Sequence, residues 1–288
     1  MEKNPIVFGG KYVSQQLISG KDTPVFSGID KETNKEVAIK IEYSGLKHHR
    51  YLYYEYWVYK QLHADSSTID SGIPKVYYFG EEADKNDDGA IYRDFHIAMV
   101  MDRLGPSLDD LFKKCEFLKT VLMLAEQMLS RMEFVHEKKF LHRDVKPGNF
   151  VMGFGTNAHK VYLIDFGISE EYIEEDGSHR SYRECYEPRG NVFFCSINTD
   201  LGITTSRRDD LESLAYLFIY FLKGGLPWEN LKYRGYRDFR EKIMEKKLSL
   251  AVEKLCEELP LEFLTFLRYT RNLTYYQTPD YLCEETFS

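Results

Sequence analysis

Cysteine is scarce and irregularly placed: five in 288 residues, Cys115, Cys185, Cys195, Cys256 and Cys283, an odd number with no C-x-x-C pair. That excludes a disulfide framework and a zinc ribbon, and fits a reducing compartment. Long apolar runs are missing too. The longest, residues 214–222, is far short of the ~20 residues that cross a bilayer, and the opening MEKNPIVFGG lacks the charged-then-apolar layout of a signal peptide. Basic residues do not predominate, with 38 Lys plus Arg against 46 Asp plus Glu, a formal charge of −8. The chain as a whole therefore attracts neither nucleic acid nor an anionic membrane, and any basic site is local. No repeat or low-complexity tract is visible. What is present, 43% hydrophobic and 15% aromatic residues, fills the core of one large or two modest domains and excludes disorder and collagen. An intracellular monomer, cytoplasmic and/or nuclear, without membrane or nucleic-acid partners, is expected.

The pattern changes near residue 105. Before it, residues 12–17, 24–30, 35–43, 76–79 and 95–102 read as strands, with KETNKE as a hairpin turn, and one helix is predicted over residues 51–62. The polar stretch 81–94, EEADKNDDGAIYRD, reads as an extended solvated loop between two strands. After residue 105 the period is helical: Leu118, Leu122, Ala125, Leu129, Met132 and Val135 stripe one face. A second helix starts after Ser206 as cap, runs through RRDDLESLAYLFIYFLK and stops at Gly224–Gly225. Being apolar nearly all round, it is expected to be buried.

His142, Arg143 and Asp144 open an H-R-D-x-x-x-x-N pattern that ends at Asn149, and Asp165-Phe166-Gly167 follows. At ~5% per residue type, that combination arises by chance less than about once in 10⁵ chains of this length. Phosphoryl transfer explains the spacing: its loose transition state needs a positioned hydroxyl and neutralised charge rather than covalent chemistry. Asp144 would accept the hydroxyl proton. Asn149 and Asp165 offer hard oxygen ligands for Mg²⁺, and Lys146 can reach the transferring phosphate as a point charge. Upstream, Val37-Ala38-Ile39-Lys40 supplies a strand lysine for the ATP phosphates, and Glu55, on the predicted helix, can pair with it. The aromatics of YLYYEYWVY around Glu55 are expected to pack against the sheet.

With these motifs the chain resembles the eukaryotic protein kinases, and more narrowly the casein kinase 1 family. LGPSLDDLF (104–112), LHRDVKPGNFVMG (141–153), SINTDLGITTSRRDDLESL (196–214) and GGLPWENLK (224–232) carry the narrowing; SIN stands where most kinases have Ala-Pro-Glu. The resemblance implies an α+β bilobal fold: a small β-rich N-lobe with one helix over residues 1–102, and a larger, mainly helical C-lobe over 103–288. It implies ATP and Mg²⁺ as cofactors and protein substrates with Ser/Thr acceptors. By position, Met101 resembles the gatekeeper, Asp102 to Leu104 the hinge facing adenine, Asp110 a ribose contact, and Asp210 the aspartate bracing the catalytic-loop backbone.

Three departures from the family stand out. The phosphate-covering loop, Leu17, Ile18, Ser19, Gly20, Lys21, Asp22, Thr23, Pro24 and Val25, keeps only the middle glycine of G-x-G-x-x-G, adds a carboxylate and loses an N–H at proline. Basic residues that in the family bind phosphate or acidic groups upstream of the target serine are replaced by Tyr186 and Phe193, leaving Arg189 and Lys232 as a partial anion site. The third is that PDYLCEETFS stops just past the family's Pro-Asp-Tyr, so targeting through a basic or lipidated tail is not expected. Two functions stay open at this point: a Ser/Thr kinase using Mg-ATP, and a kinase-shaped scaffold that transfers no phosphate.

Overall fold

The computed structural model describes residues 6–20, 23–43, 51–64, 71–85, 91–112, 118–185 and 187–281, with backbone alone over 83–85 and 91–95. Lys21, Asp22, Cys115, Tyr186 and Cys283 lie outside the described residues. The chain divides into two compact units, one of Met1–Gly105 with Met152–His159, the other of Pro106–Val151 with Lys160–Ser288. The division falls between Gly105 and Pro106. It also returns a short segment to the first unit, where the Gly105 N–H donates to the Met152 carbonyl at 2.8 Å.

The first unit is an antiparallel sheet of β1 (Val7–Phe8), β2 (Tyr12–Ser19), β3 (Val25–Asp30), β4 (Glu36–Tyr43), β5 (Val76–Lys85) and β6 (Ile91–Asp102), in the order β1-β2-β3-β4-β6-β5. Side chains alternate across a strand, so Val37, Ile39 and Ile41 of β4 enter a core with Phe8, Tyr12, Ala98 and Val100, while Lys40 takes the other face. Between β4 and β5 runs α1 (Tyr51–Leu62), with the predicted bounds. It packs through Leu52, Val58, Tyr59 and Leu62, and Tyr56 stacks on Phe79 at 4.2 Å.

The stretch 81–94 corrects the expectation of a loop at its two ends, 81–85 and 91–94, while residues 86–90 lie outside the described residues. β5 and β6 run into it, pairing Glu81 with Ile97, Glu82 with His96 and Lys85 with Ile91. Polar residues suit a strand when one face is tied down: the Glu82 carboxylate accepts from the Gly9 N–H at 2.6 Å and the Tyr78 hydroxyl at 2.7 Å.

The second unit contains α2 (Leu108–Phe112), α3 (Leu118–Glu137), short strands β7 (Phe140–Leu141), β8 (Phe150–Met152), β9 (Val161–Leu163) and β10 (Glu170–Glu171), then α4 (Ile197–Asp200), α5 (Arg207–Lys223), α6 (Tyr236–Ser249), α7 (Val252–Leu255) and α8 (Leu261–Asn272). α5 packs against α3 and α8, and Leu211 to Ile219 are buried without a break. Ser206 is its N-cap, but the bond is made by Asp209, whose carboxylate accepts the Ser206 N–H at 2.7 Å. Gly224 ends the helix at φ 75°, where a Cβ is disfavoured. The α3 stripe needs correction at its start. Leu118 and Leu122 are 42% and 36% exposed, and Val121, Ala125 and Met128 face the core instead. At 3.6 residues per turn, the residue four before Ala125 holds the face better than the one three before.

α6 is anchored by a buried cation. Lys247 is fully buried, and its ammonium donates to the Val192 carbonyl (3.0 Å), the Cys195 carbonyl (2.7 Å) and Asp200 (2.8 Å), using all three N–H bonds. Asp200 also pairs with Arg240 at 3.3 Å, so removing the ammonium leaves a buried carboxylate with half of its counter-charge and two carbonyls without their donor. Lys247→Met should therefore cost about 3 kcal/mol in urea unfolding, with part of the loss recovered when Asp200→Asn is added. A loss below about 1 kcal/mol would show that the ammonium does not hold this segment.

Candidate active site

In the first unit, Lys40 lies inside β4 opposite Val25 and Met99, and its Nζ is 2.7 Å from Glu55 Oε2. Glu55, 3% exposed, falls in the buried stripe Leu52, Glu55, Val58, Tyr59, Leu62 of α1, a position where a carboxylate is tolerated only when paired. The pair fixes the lysine's long stem. Gly20 sits at φ +85°, and a Cβ there would lie 2.1 Å from the Thr23 carbonyl oxygen; the surviving glycine is demanded by the turn. Leu17 and Ile18 are exposed, Thr23 and Val25 are half-buried, Ser19 pairs opposite Val25, and the Pro24 carbonyl accepts the Ile41 N–H at 2.9 Å.

Met101 and Leu104 are buried. The Asp102 carboxylate is engaged within the sheet, accepting from the Lys75 N–H at 2.8 Å, the Tyr77 hydroxyl and the Lys35 ammonium at 3.1 Å. The Arg103 guanidinium donates to the Leu104 carbonyl at 2.7 Å.

In the second unit the loop from His142 to Asn149 gathers three predicted residues. Lys146 Nζ lies 2.5 Å from Asp144 Oδ2. Asn149 Nδ2 donates to the Asp144 carbonyl at 2.8 Å and to its carboxylate at 3.1 Å, bonds that use the amide nitrogen and not its oxygen. Asp210 braces this loop from α5, accepting the His142 N–H and the Arg143 N–H at 2.8 Å each. Burial pushes the Asp210 pKa up, but the His136 hydrogen bond and the backbone donors outweigh it and hold the carboxyl below its usual range. The brace is needed because Arg143 is at φ 68°, a left-handed turn whose N–H groups find no strand or helix partner.

Asp165, at φ 70°, follows β9. Its neighbour Phe166 is fully buried, edge-on to the His142 ring at 5.1 Å, and His142 Nε2 bonds the Ile164 carbonyl at 3.0 Å. These contacts tie the Asp165 turn to the His142–Asn149 loop. Among the described residues, no group of three or more His, Cys, Asp or Glu side chains is placed to hold a metal alone. Asn149 and Asp165 are hard oxygen donors of the kind Mg²⁺ takes when phosphates complete its shell, so the donor set fits. Asp110 is hydrogen-bonded at the start of α2, where its carboxylate accepts from the Ser107 N–H (3.1 Å) and hydroxyl (2.6 Å).

Several residues that sequence reasoning missed support the loop. The Arg143 guanidinium pairs with Glu170, which also binds Arg180 at 2.6 Å. The β7–β10 register, Leu141 opposite Glu170, brings that carboxylate close, and no local signal in the sequence announces it. Gly190 presses against the loop at φ +91°, and a Cβ there would lie 2.2 Å from the Arg143 carbonyl oxygen. Ser196 of the SIN stretch caps α4 and donates to Asp209 at 2.6 Å. The Ile197 N–H donates to Glu212 at 3.2 Å. Arg189 and Lys232 are exposed. Phe193 is half-buried, with its ring edge-on to Phe239 at 5.5 Å, and Tyr233 lies 4.5 Å from Phe239.

The sequence matches the family model described as protein kinase domain over residues 12–270. Gly190→Ala should cost about 2 kcal/mol or more, from positive φ and a backbone clash. Gly148→Ala, within the His142–Asn149 loop and with nothing within 4 Å of the new Cβ, should stay within about 0.5 kcal/mol of wild type. Thermal unfolding of the two variants checks this; equal losses would show that Gly190 is not a contact point.

Proposed function

Since this chain belongs to the protein kinase family, we propose that it is an ATP-dependent Ser/Thr kinase of casein kinase 1 type acting on acidic protein substrates. The observation that carries the reading is the cluster of Asp144, Lys146 and Asn149 on a loop whose backbone Asp210 holds. The casein kinase 1 assignment is supported by the SIN stretch, fastened to α5 by Asp209 and Glu212, together with the LGPSLDDLF and RRDDLESL sequences.

Asp144 orients the acceptor hydroxyl and takes its proton as the oxygen attacks. The Lys146 ammonium, beside that carboxylate, faces the charge that builds on the transferring group. Lys40, immobilised by Glu55, binds phosphate oxygens, and Asn149 with Asp165 would hold Mg²⁺. When bound, Mg-ATP supplies the γ-phosphoryl group and neutralises its spreading charge. Gly20 is the one family glycine kept in the phosphate-covering loop, which supports weak nucleotide binding.

Asp144→Asn keeps the shape and removes the proton acceptor, which should lower single-turnover phosphotransfer to dephosphorylated casein by about 10²-fold or more. Phosphoamino-acid analysis of the wild-type product should give phosphoserine and phosphothreonine. Transfer by Asp144→Asn within threefold of wild type would sink the mechanism, mainly phosphotyrosine would sink the substrate class, and no transfer by wild type would leave the scaffold reading.

A phosphorylated priming residue carries about −1.5 to −2 charges and needs clustered donors. Phe193, edge-on to Phe239, supplies none, and the exposed Arg189 and Lys232 stand in for the family's site. Peptides phosphorylated or not three residues before the serine should therefore differ little on wild type and more on Phe193→Arg. Strong priming that Phe193→Arg leaves unaltered would defeat this.

A further inference from the structure

We propose that Tyr281, which lies beyond the matched residues 12–270, is a positioning residue of the catalytic loop, acting through His136 and Asp210. The inference rests on the kinase reading for its kinetic arm only. Tyr281 Oη is 2.6 Å from His136 Nδ1, and His136 Nε2 is 3.0 Å from Asp210 Oδ2. That same carboxylate oxygen accepts the His142 N–H at 2.8 Å. Three hydrogen bonds therefore join the last described residue of the chain to the first residue of the H-R-D pattern.

The direction of the relay follows from donor counting. Ionised Asp210 only accepts, so the His136 proton sits on Nε2. Nδ1 then carries a lone pair, and the Tyr281 hydroxyl is the donor that meets it. The imidazole is 1% exposed, and its burial disfavours the charged form and lowers its pKa, against the pull of Asp210 and with a push from Arg207 and His142. A neutral ring has one N–H to place. Without the tyrosine hydroxyl, Nδ1 is a buried acceptor with no donor, and moving the proton to Nδ1 would turn the Nε2 lone pair against the Asp210 carboxylate. Either adjustment displaces the oxygen on which the His142 N–H depends.

The surroundings hold Tyr281 in place. The Asp280 N–H donates to the Tyr269 hydroxyl at 2.6 Å. Arg207 donates to the Tyr276 carbonyl at 3.0 Å and to Thr278 at 3.1 Å, with its guanidinium 4.9 Å above the Tyr172 ring. Tyr172 in turn donates to the His136 carbonyl at 2.7 Å. The segment is thus fastened on both sides of the histidine.

Tyr281→Phe, made in the full chain, keeps the ring and deletes the donor. The expected result is a kcat about tenfold lower, with the KM for ATP within twofold of wild type and a melting temperature above that of the assay. The ¹⁵N resonances of His136 should show a protonated Nε2 and bare Nδ1 in wild type and lose that pattern in the variant. In a His136→Phe background the Tyr281→Phe change should have no further effect on kcat, the non-additivity that marks a shared path. An unchanged kcat per folded molecule, or losses that simply add, would overturn the proposal and leave Tyr281 as a packing residue. An inactive wild type would refute the kinase reading instead, and the ¹⁵N pattern alone would then decide, an unaltered spectrum in Tyr281→Phe overturning the relay.

Discussion

One buried carboxylate carries the order of the second unit. Asp210 is 3% exposed and collects the His142 N–H, the Arg143 N–H and the His136 Nε2 on two oxygens. A left-handed residue at Arg143 leaves backbone donors that no regular element can satisfy, and an ionised acceptor serves them better than a neutral one. Its folded pKa lies below the ordinary value of 3.8. The stabilisation is therefore present above that value and is lost as acid protonates the folded carboxyl. Asp144, Lys146 and Asn149 inherit their positions from this backbone.

The same helix turn carries two more acids with different tasks. Asp209 accepts from Ser196 and from the Ser206 N–H, yet desolvation dominates there and pushes its pKa up to about 6. Its contribution to stability therefore falls as pH rises from the ordinary value toward 6, opposite in sign to that of Asp210. Glu212 receives the Ile197 N–H and the Tyr216 hydroxyl, with Arg271 3.5 Å away. RRDDLESL thus sets three buried acids on α5, one for the His142–Asn149 loop and two for the SIN stretch. Reading that helix as apolar nearly all round, with Asp210 as the brace, accounts for its burial and overlooks Asp209 and Glu212.

Local signals were legible in the sequence and tertiary ones were not. The bounds of α1 and the glycine stop of α5 follow from patterns within one element, and the Asp144, Lys146 and Asn149 cluster lies within six residues of chain. Glu55 was readable because its partner lies on the adjacent strand. Glu170 against Arg143 depends on a two-residue ladder, and Lys247 reaches Cys195 and Asp200 from another helix; neither pairing leaves a mark in local periodicity. The stretch 81–94 misled because polarity was taken for a loop, whereas strand arms tolerate polar residues once paired. Leu118 and Leu122 misled because i+3 and i+4 spacings drift apart over two turns.

Two arginines, Arg143 and Arg180, are spent inside the fold. Arg143 and Arg180 share Glu170, and Arg180 also donates to the Glu171 carbonyl. Because Glu170 is held in the β7–β10 ladder, the Arg143 side chain, 4% exposed, has its counter-charge built into the chain. A guanidinium so enclosed gains little from an added anion, since a second carboxylate or phosphate would meet the first one's repulsion and its own desolvation cost. Positive charge offered to solvent lies instead on residues such as the exposed Arg189 and Lys232. Exposed lysine and arginine hold an acidic side chain loosely. An anion on this surface would therefore be held far more loosely than Arg143 and Arg180 hold the Glu170 carboxylate.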